Sequence, residues 1–267
     1  MKKDKAYYPS ALNLSKYWKY LQYSIQYAKY GDWKSIKTSF IYVLSGKPEP
    51  KNRYAKSKLG KFLIRKGTTD FQFINYAYEK NIRDYILKNI DCFDTYVDVG
   101  ACIGEYCVWL SSLGKKVYAF EPVQANYQGL IENVSINNQE ENIKAYNVGL
   151  GKDEGMVHFD VFSTVTGSSR ISEDQTKKAN VKIEVLDQVL NESQIPDDRK
   201  VIIKLDVEGM EVEVLKGAKN FLKRMSFIGV IYEHSFAGAD EIKSFLESTG
   251  NYTYQALDDY NTIAIRK

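Results

Sequence analysis

Cysteine and histidine are scarce in this chain, and most chemistry that depends on them is excluded at the outset. Its three cysteines, Cys92, Cys102 and Cys107, show neither zinc-ligand nor redox spacing, and an odd number argues against a disulfide framework. Proline is rare as well, five in 267 residues. No uncharged run approaches the ~20 apolar residues that a membrane span requires. The opening Met1-Lys-Lys-Asp-Lys5 is basic, but no apolar stretch follows it, so no secretory signal is expected. Internal repeats are absent. Together these features predict a cytoplasmic protein. Its 44% hydrophobic and 27% charged residues suit one large core, or a core with a small appendage.

Acidic charge is missing from one region in particular. Residues 1–66 hold 16 Lys/Arg against 3 Asp/Glu, whereas the remaining 201 hold 21 against 31, so the net charge of +3 conceals +13 followed by −10. The basic region is expected to seek anionic surface. Within it, residues 11–45 read as two helices. Leu14, Trp18, Leu21, Ile25 and Ala28 make one helical stripe, widened by Tyr17, Tyr20, Tyr23, Tyr27 and Tyr30. After Gly31-Asp32, a shorter stripe of Trp33, Ile36, Phe40 and Leu44 runs to Gly46-Lys-Pro48. Three readings are open. The stripes pack on the main body or on a second subunit of a homodimer. Alternatively, the basic aromatic surface of residues 1–66 docks on a membrane, peripherally at its inner face, or on an anionic lipid carrier. Or the aromatics stack nucleic-acid bases, although no recognised binding motif is present. Residues 47–58 read as a polar linker, so a helical extension over 1–58 is expected before a main domain over 59–267.

In that domain, Leu59 to Lys66 reads as a strand, and Asp70 is placed to cap a helix running to about Asn89. From Thr95, strand and helix alternate. Strands are expected at Thr95–Val99, Lys116–Phe120, Ile143–Val148, Val201–Asp206 and Phe227–Tyr232. Helices are expected from Glu105, at 124–137, at 211–222 and at 239–248. Tyr252–Ala256 and Thr262–Ile265 close the chain without an intervening helix. Between the third and fourth strands, Met156–Phe162 and Val181–Val185 alternate at period two around Thr166-Gly-Ser-Ser-Arg170, which predicts a β insertion over about 153–185. The pattern is that of an α/β protein with a doubly wound, mostly parallel sheet and an antiparallel strand at the C-terminal end.

Three features locate a ligand. Thr95-Tyr-Val-Asp-Val-Gly-Ala-Cys-Ile-Gly-Glu105 is a strand feeding a glycine turn feeding a helix, a place where backbone N–H groups meet a ligand closely. Glu121 ends the second strand, 23 residues after Asp98, where a carboxylate accepts both hydroxyls of a ribose. Asp206 and His234 end the fourth and fifth strands, on the same sheet edge. The glycines are spaced Gly-x-x-x-Gly rather than Gly-x-Gly-x-x-Gly, no second such turn exists, and Asp98 would repel a pyrophosphate at close quarters. These points weigh against a dinucleotide. A ligand with a cationic end and no phosphate suits Asp98 better, and S-adenosyl-L-methionine is one.

Further motifs appear in order. They are Asp98-Val-Gly-Ala-Cys-Ile-Gly104, Ala119-Phe-Glu-Pro122, Leu130 with Asn133, Val185-Leu-Asp187, and Ile203-Lys-Leu-Asp-Val-Glu-Gly-Met-Glu211 followed by Val214-Leu-Lys-Gly217. From about Phe62 to Glu233 the chain resembles the FkbM family of S-adenosylmethionine-dependent methyltransferases. Cys102 departs from the family pattern, where a small polar residue is expected, and so does His234 after Glu233. The resemblance implies a class I methyltransferase (Rossmann-like) fold and methyl transfer, usually to oxygen, often on a sugar or another secondary-metabolite hydroxyl.

On this reading Gly100, Ala101, Cys102, Ile103 and Gly104 approach the methionine and ribose, Asp98 holds the ammonium end, and Glu121 with Pro122 takes the ribose. Val148 and Gly149 are expected to wall the adenine. Lys204 and Asp206 share one face of a central strand. They form a structural ion pair, with each other or with Glu211, or one of them faces the acceptor. A sugar hydroxyl must lose its proton during attack, and His234 is the first candidate base. Asp206, Glu208 and Glu233 are alternatives. With His234 these acids could hold Mg or Mn, but spacing alone does not establish a metal site and none is assigned. The expected function is O-methylation of a sugar or glycoconjugate precursor. Methylation of nitrogen or of a non-sugar small molecule is the nearest alternative. A non-catalytic cofactor-binding scaffold acting through the N-terminal helices is the rival of another class.

Overall fold

The computed structural model describes residues 16–266 except Ser163, Glu173, Gln175, Lys177 and residues 234–237. Leu14 and His234 therefore lie outside the described residues. Seven strands make the central sheet: β1 (Thr95–Val99), β2 (Lys116–Phe120), β3 (Ile143–Tyr146), β4 (Lys200–Leu205), β5 (Phe227–Glu233), β6 (Thr253–Ala256) and β7 (Asn261–Arg266). Their spatial order is 6-7-5-4-1-2-3. Neighbours among β1–β5 are parallel, and β7 runs antiparallel to both β5 and β6. The expected doubly wound sheet with an antiparallel C-terminal strand is present.

The main helices are α1 (Tyr17–Lys29), α2 (Trp33–Ser45), α3 (Lys80–Lys88), α4 (Glu105–Ser112), α5 (Gln124–Ser135), α6 (Glu211–Gly217), α7 (Lys219–Arg224) and α8 (Ala239–Glu247). All five residues of β1 are buried, as expected of a parallel strand covered on both faces. Period two sends Tyr96 to the core that includes Tyr106, Trp109 and Leu130 of α4 and α5. It sends Val97 and Val99 to the core that includes Val212, Phe221 and Ile242 of α6–α8. Asp98 shares the Tyr96 face, and the register sets it beside Lys204 of β4.

Four local expectations are corrected. Residues 53–57, read as linker, form a strand (Arg53–Ser57) paired antiparallel with Gly60–Ile64 across the expected boundary at 58. Its polar and basic residues obscured a buried face at Ala55 and Ser57. The helix expected over 70–89 is a four-residue turn of helix, Asp70–Phe73, then α3. Asp70 is engaged by the Arg65 guanidinium at 2.7 Å rather than serving as a cap. Asn75 spends its side chain on Tyr23 O and Ala77 N, and Glu79 adopts φ 48, which ends the continuity. The helix expected over 211–222 divides at Ala218, because Asp187 accepts the N–H groups of Asn220 and Phe221 at 2.9 and 2.7 Å and starts α7 anew. The third strand stops at Tyr146. Gly149–Leu150 instead pairs with Ile183–Glu184, which joins Gly155–Val157 in the expected insertion.

The N-terminal hairpin is turned opposite to its hydrophobic pattern. Tyr27 is buried and its hydroxyl donates to Phe71 O at 2.7 Å, whereas Trp18, Leu21, Ile25, Trp33, Phe40 and Leu44 are exposed. The hairpin does pack on the main body, but through Tyr27, Tyr23, Ile36 and Tyr42, while most apolar positions of the two stripes face outward. Polar anchoring decides the orientation. Arg53 donates to Asp32 Oδ1 at 3.0 Å, Ser35 Oγ at 2.7 Å and Glu49 Oε2 at 2.9 Å, and Asp32 caps α2 through Ser35 N.

Arg53→Ala leaves Asp32 and Glu49 buried without their cation, which costs about 3–5 kcal/mol. We expect a lowered thermal midpoint together with protease cleavage between α1 and α2. An unchanged midpoint contradicts this account of the anchor.

Candidate active site

β1 and β2 leave the sheet centre in one direction and β4 in the other, so a crevice opens above their C-terminal ends. Gly100 makes it possible. At φ +90 its position is closed to most side chains, and a Cβ there would lie 2.0 Å from Asp206 O. Its N–H and that of Ala101 both donate to Phe120 O, at 2.9 and 3.0 Å, so the turn after β1 sits directly over the end of β2. Cys102 follows at φ 46, a strained conformation for a side chain, and its N–H donates to Glu121 Oε2 at 2.8 Å. The other carboxylate oxygen of Glu121 accepts from Val123 N, also at 2.8 Å.

The cavity over these strand ends is lined by Gly100 and Cys102, by Glu121 and Pro122, by Val148 and Gly149, and by Asp206. Those seven are brought together as the sequence predicts. Ala101, Ile103 and Gly104 are not among the lining residues. Ala101 and Ile103 are buried in the core, and Gly104 packs on Leu130, where a Cβ would come within 2.9 Å of Cγ. Asn133 fixes the same turn from behind, donating to Ile103 O at 2.9 Å while accepting Leu63 N–H at 2.7 Å. Asp98 also turns from the cavity: the Cys107 thiol donates to its Oδ2 at 3.2 Å.

Residues that sequence reasoning missed come from the insertion and the early hairpin. Phe159, Thr166, Gly167 and Ile183 line the cavity. Thr166 Oγ1 donates to Asp70 Oδ1 at 3.1 Å, Asn126 donates to Thr166 O at 3.0 Å, and Arg65 reaches Asn126 Oδ1 at 3.1 Å. Asn126 lies five residues after Glu121, a signal that could have been read. Thr166 carried none beyond its place in a Gly/Ser-rich loop.

A second group lies against the face of β1 and β4 that α4 covers. Lys204 Nζ is 2.7 Å from Asp206 Oδ2 and 3.9 Å from Glu79 Oε2, so the ion-pair reading of Lys204 and Asp206 holds. Asp206 is still 36% exposed. Glu79, which no sequence pattern singled out, also accepts the Tyr106 hydroxyl at 2.9 Å. Arg83 donates to Phe73 O at 2.9 Å and to Asn75 O, and its guanidinium lies 4.9 Å from the Tyr106 ring centre. Glu105 is buried here, and its Oε2 has no hydrogen-bond partner among the described residues. Four carboxyls (Asp98, Asp206, Glu79 and Glu105) therefore share two cations.

Burial governs the protonation of the group. It pushes Asp98 up to about 6, against the pull of Lys204 and the Cys107 thiol. It pushes Glu105 up to about 8, with Arg83 opposing, and Glu121 up to about 7, against the N–H groups of Val123 and Cys102. Burial acts against the Lys204 charge too, but Asp206 and Glu79 hold it protonated. Glu208 has the left-handed φ of 49 in the loop after β4. His158 belongs to the insertion, its Nδ1 2.8 Å from Lys178 O.

Residues 98–255 match the model of the methyltransferase FkbM domain. Methyltransferase sdnD of Sordaria araneosa is 29% identical across 53% of this chain and 71% of its own length. Hexuronic acid methyltransferase AglP of Haloferax volcanii is 24% identical across 75% of this chain and 79% of its own. The structure of a SAM dependent methyltransferase from Aquifex aeolicus matches with a TM-score of 0.41 at 14% identity, over 71% of this chain and 91% of that one.

A carboxyl whose folded pKa lies above its unfolded value withdraws stability as pH rises between the two. For Glu105 that window runs from 4.5 to about 8, overlapping those of Asp98 and Glu121 and extending beyond them at its upper end. Glu105→Gln should therefore gain stability over the native protein as pH rises through this range. Thermal midpoints of both proteins at successive pH values test it, and a difference that does not change with pH contradicts it.

Proposed function

Since the chain belongs to the FkbM methyltransferase family, we propose that it transfers a methyl group from S-adenosyl-L-methionine to a hydroxyl of a sugar or glycoconjugate precursor. The observation that carries the cofactor reading is the Glu121 carboxylate, buried at the cavity wall with each oxygen steadied by one backbone N–H. Oε1 also takes the Asn126 amide, at 3.5 Å, so of the carboxylate's roughly four acceptor sites one on Oε2 is open to a ligand hydroxyl, and a second becomes available where a ligand displaces that long Asn126 contact. The glycine cradle fits as well. A Cβ at Gly100 or Gly149 would meet Asp206 O at 2.0 Å or Ile183 Cδ1 at 2.7 Å, so small residues there keep backbone within reach of a ligand. Val148 and Pro122 offer an apolar wall for adenine. Asp206, rather than Asp98, presents the carboxylate nearest a cationic end, and the excess of acids around Lys204 favours positive charge at that place.

When bound, the cofactor supplies an electrophilic methyl carbon on a positively charged sulfur. The chain's own task is to hold that carbon in line with an acceptor oxygen, the positioning from which most of the acceleration can come. Lys204 orients Asp206 through their ion pair, and Glu79 ties the same lysine to the segment before α3. We assign removal of the acceptor proton to His234, which follows Glu233 in the sequence, with Asp206, Glu208 and Glu233 as the alternative bases. The sugar acceptor is supported by likeness to a hexuronic acid methyltransferase and by the β insertion, which supplies one wall of the cavity.

Calorimetric titration should show binding of S-adenosylmethionine and S-adenosylhomocysteine and none of NAD. Tight binding of NAD with neither sulfur nucleotide sinks the proposal. Charge-assisted hydrogen bonds of about 1.5–3 kcal/mol are lost in Glu121→Ala, so its affinity for S-adenosylhomocysteine should fall roughly ten- to a hundredfold. For the base, His234→Ala should bind cofactor normally, lose turnover where a neutral imidazole would serve as base, and lose the acid limb that imidazole protonation gives the native pH profile. Turnover equal to the native enzyme from pH 6 to 9 removes it from that role.

A further inference from the structure

The outward face of the α1–α2 hairpin has no function in the site just described. Trp18 and Trp33 are each 67% exposed, Phe40 is 68% exposed, and Leu21, Ile25, Ile41 and Leu44 continue the same two stripes. Residues 18, 21 and 25 follow helical spacing, as do 33, 37, 40, 41 and 44. A helical hairpin usually turns such stripes inward. Here hydrogen bonds from Tyr27 and Asn75 and the Arg53 network hold the opposite face against the body, so the apolar side is fixed outward. Six lysines, Lys16, Lys19, Lys29, Lys34, Lys37 and Lys47, lie along residues 16–47. The sole acid there, Asp32, is already paired with Arg53.

We propose that this face docks on an anionic lipid bilayer surface. Aromatic and aliphatic side chains flanked by lysines make up an interfacial helix, whose apolar side enters the headgroup boundary while cations meet anionic lipid. Charge decides between this occupant and a second copy of the chain. A twofold interface would set one lysine-rich face against another and repel, whereas an anionic surface raises partition about fivefold per lysine nearby. No helix among the described residues is long and apolar enough to cross a membrane, so the contact is a docking one. The inner face of the hairpin packs on the segment that carries Glu79 to Lys204. Docking would therefore hold the cluster beneath the cavity about one helix diameter, ~10 Å, from the outer face. The inference stands on surface chemistry alone and survives if the acceptor is not a sugar.

Co-sedimentation of the full chain tests it, with vesicles of equal parts phosphatidylcholine and phosphatidylglycerol against phosphatidylcholine alone. Binding to the mixed vesicles should exceed binding to neutral ones by about tenfold or more and weaken with added salt. Trp33→Ser with Phe40→Ser should lower it at least about tenfold. Lys34→Glu with Lys37→Glu should do so on mixed vesicles only. Trp18 and Trp33 supply a reading without substitution, since Trp109, the remaining tryptophan, is buried. Brominated lipid should quench the native fluorescence on docking. Equal partition to both vesicle types, or no quenching, overturns the proposal. So does a solution dimer that the Trp33/Phe40 variant dissociates without any change in vesicle binding, because it assigns the face to a second subunit. Cofactor titration of each variant keeps this outcome separate from failure of the methyltransferase reading.

Discussion

The Glu121 carboxylate, spanning Cys102 N–H and Val123 N–H, is the interaction on which the ligand end of this fold depends. It fastens the turn after β1 to the turn after β2, and it holds Cys102 in a backbone conformation that a side chain otherwise avoids. No full positive charge touches it. Arg65 acts on it across Asn126 and Asp70, and Thr166 of the insertion closes the same circuit. A carboxylate held by dipoles in a buried place is costly to ionise, so its pKa is high without a ligand. Ligand hydroxyls that donate to it would lower that cost. The strained turn, the insertion and the early hairpin converge on this one side chain, which ties the architecture to the ribose reading.

The second ionic group complements the first. Asp98 and Lys204 are register partners on adjacent parallel strands, and Asp206, one residue beyond β4, brings their charge to the cavity. The acids outnumber the cations because the group adjoins the place where a positively charged ligand end would sit, and the surplus carboxyl, Glu105, stays protonated near neutrality by burial.

Much of this was legible in the sequence because it is local. Five core strands follow from alternation and β-rich composition, although the pattern places the ends of the last three at Val148, Asp206 and Tyr232 and they lie at Tyr146, Leu205 and Glu233; Gly100 with Glu121 follow from strand, turn and spacing. What stayed hidden depends on tertiary choice. Periodicity finds an apolar stripe on α1 and α2 but not which side faces in, and tyrosines that hydrogen-bond from their hydroxyls can take the inner side. Arg53–Ser57 looked like linker because its buried positions, Ala55 and Ser57, are small and only one of them is apolar. Glu79 looked like the interior of one helix because Ala77 and Ile82 keep the apolar rhythm across the break. Asp187 and Gly217, among the family-like motifs, proved to be a helix cap and a close backbone contact with Gly151.

The central claim is that Glu121 is a buried carboxyl reserved for a ligand's hydroxyls. Carbon-13 NMR of the Glu121 side-chain carboxyl, assigned with Glu121→Gln, measures this directly by pH titration with and without S-adenosylhomocysteine. The account predicts titration at about 7 in the free protein and a marked downward displacement when the nucleoside binds. Titration at the ordinary 4.5 in the free protein, or a curve that the ligand leaves unmoved, would contradict it.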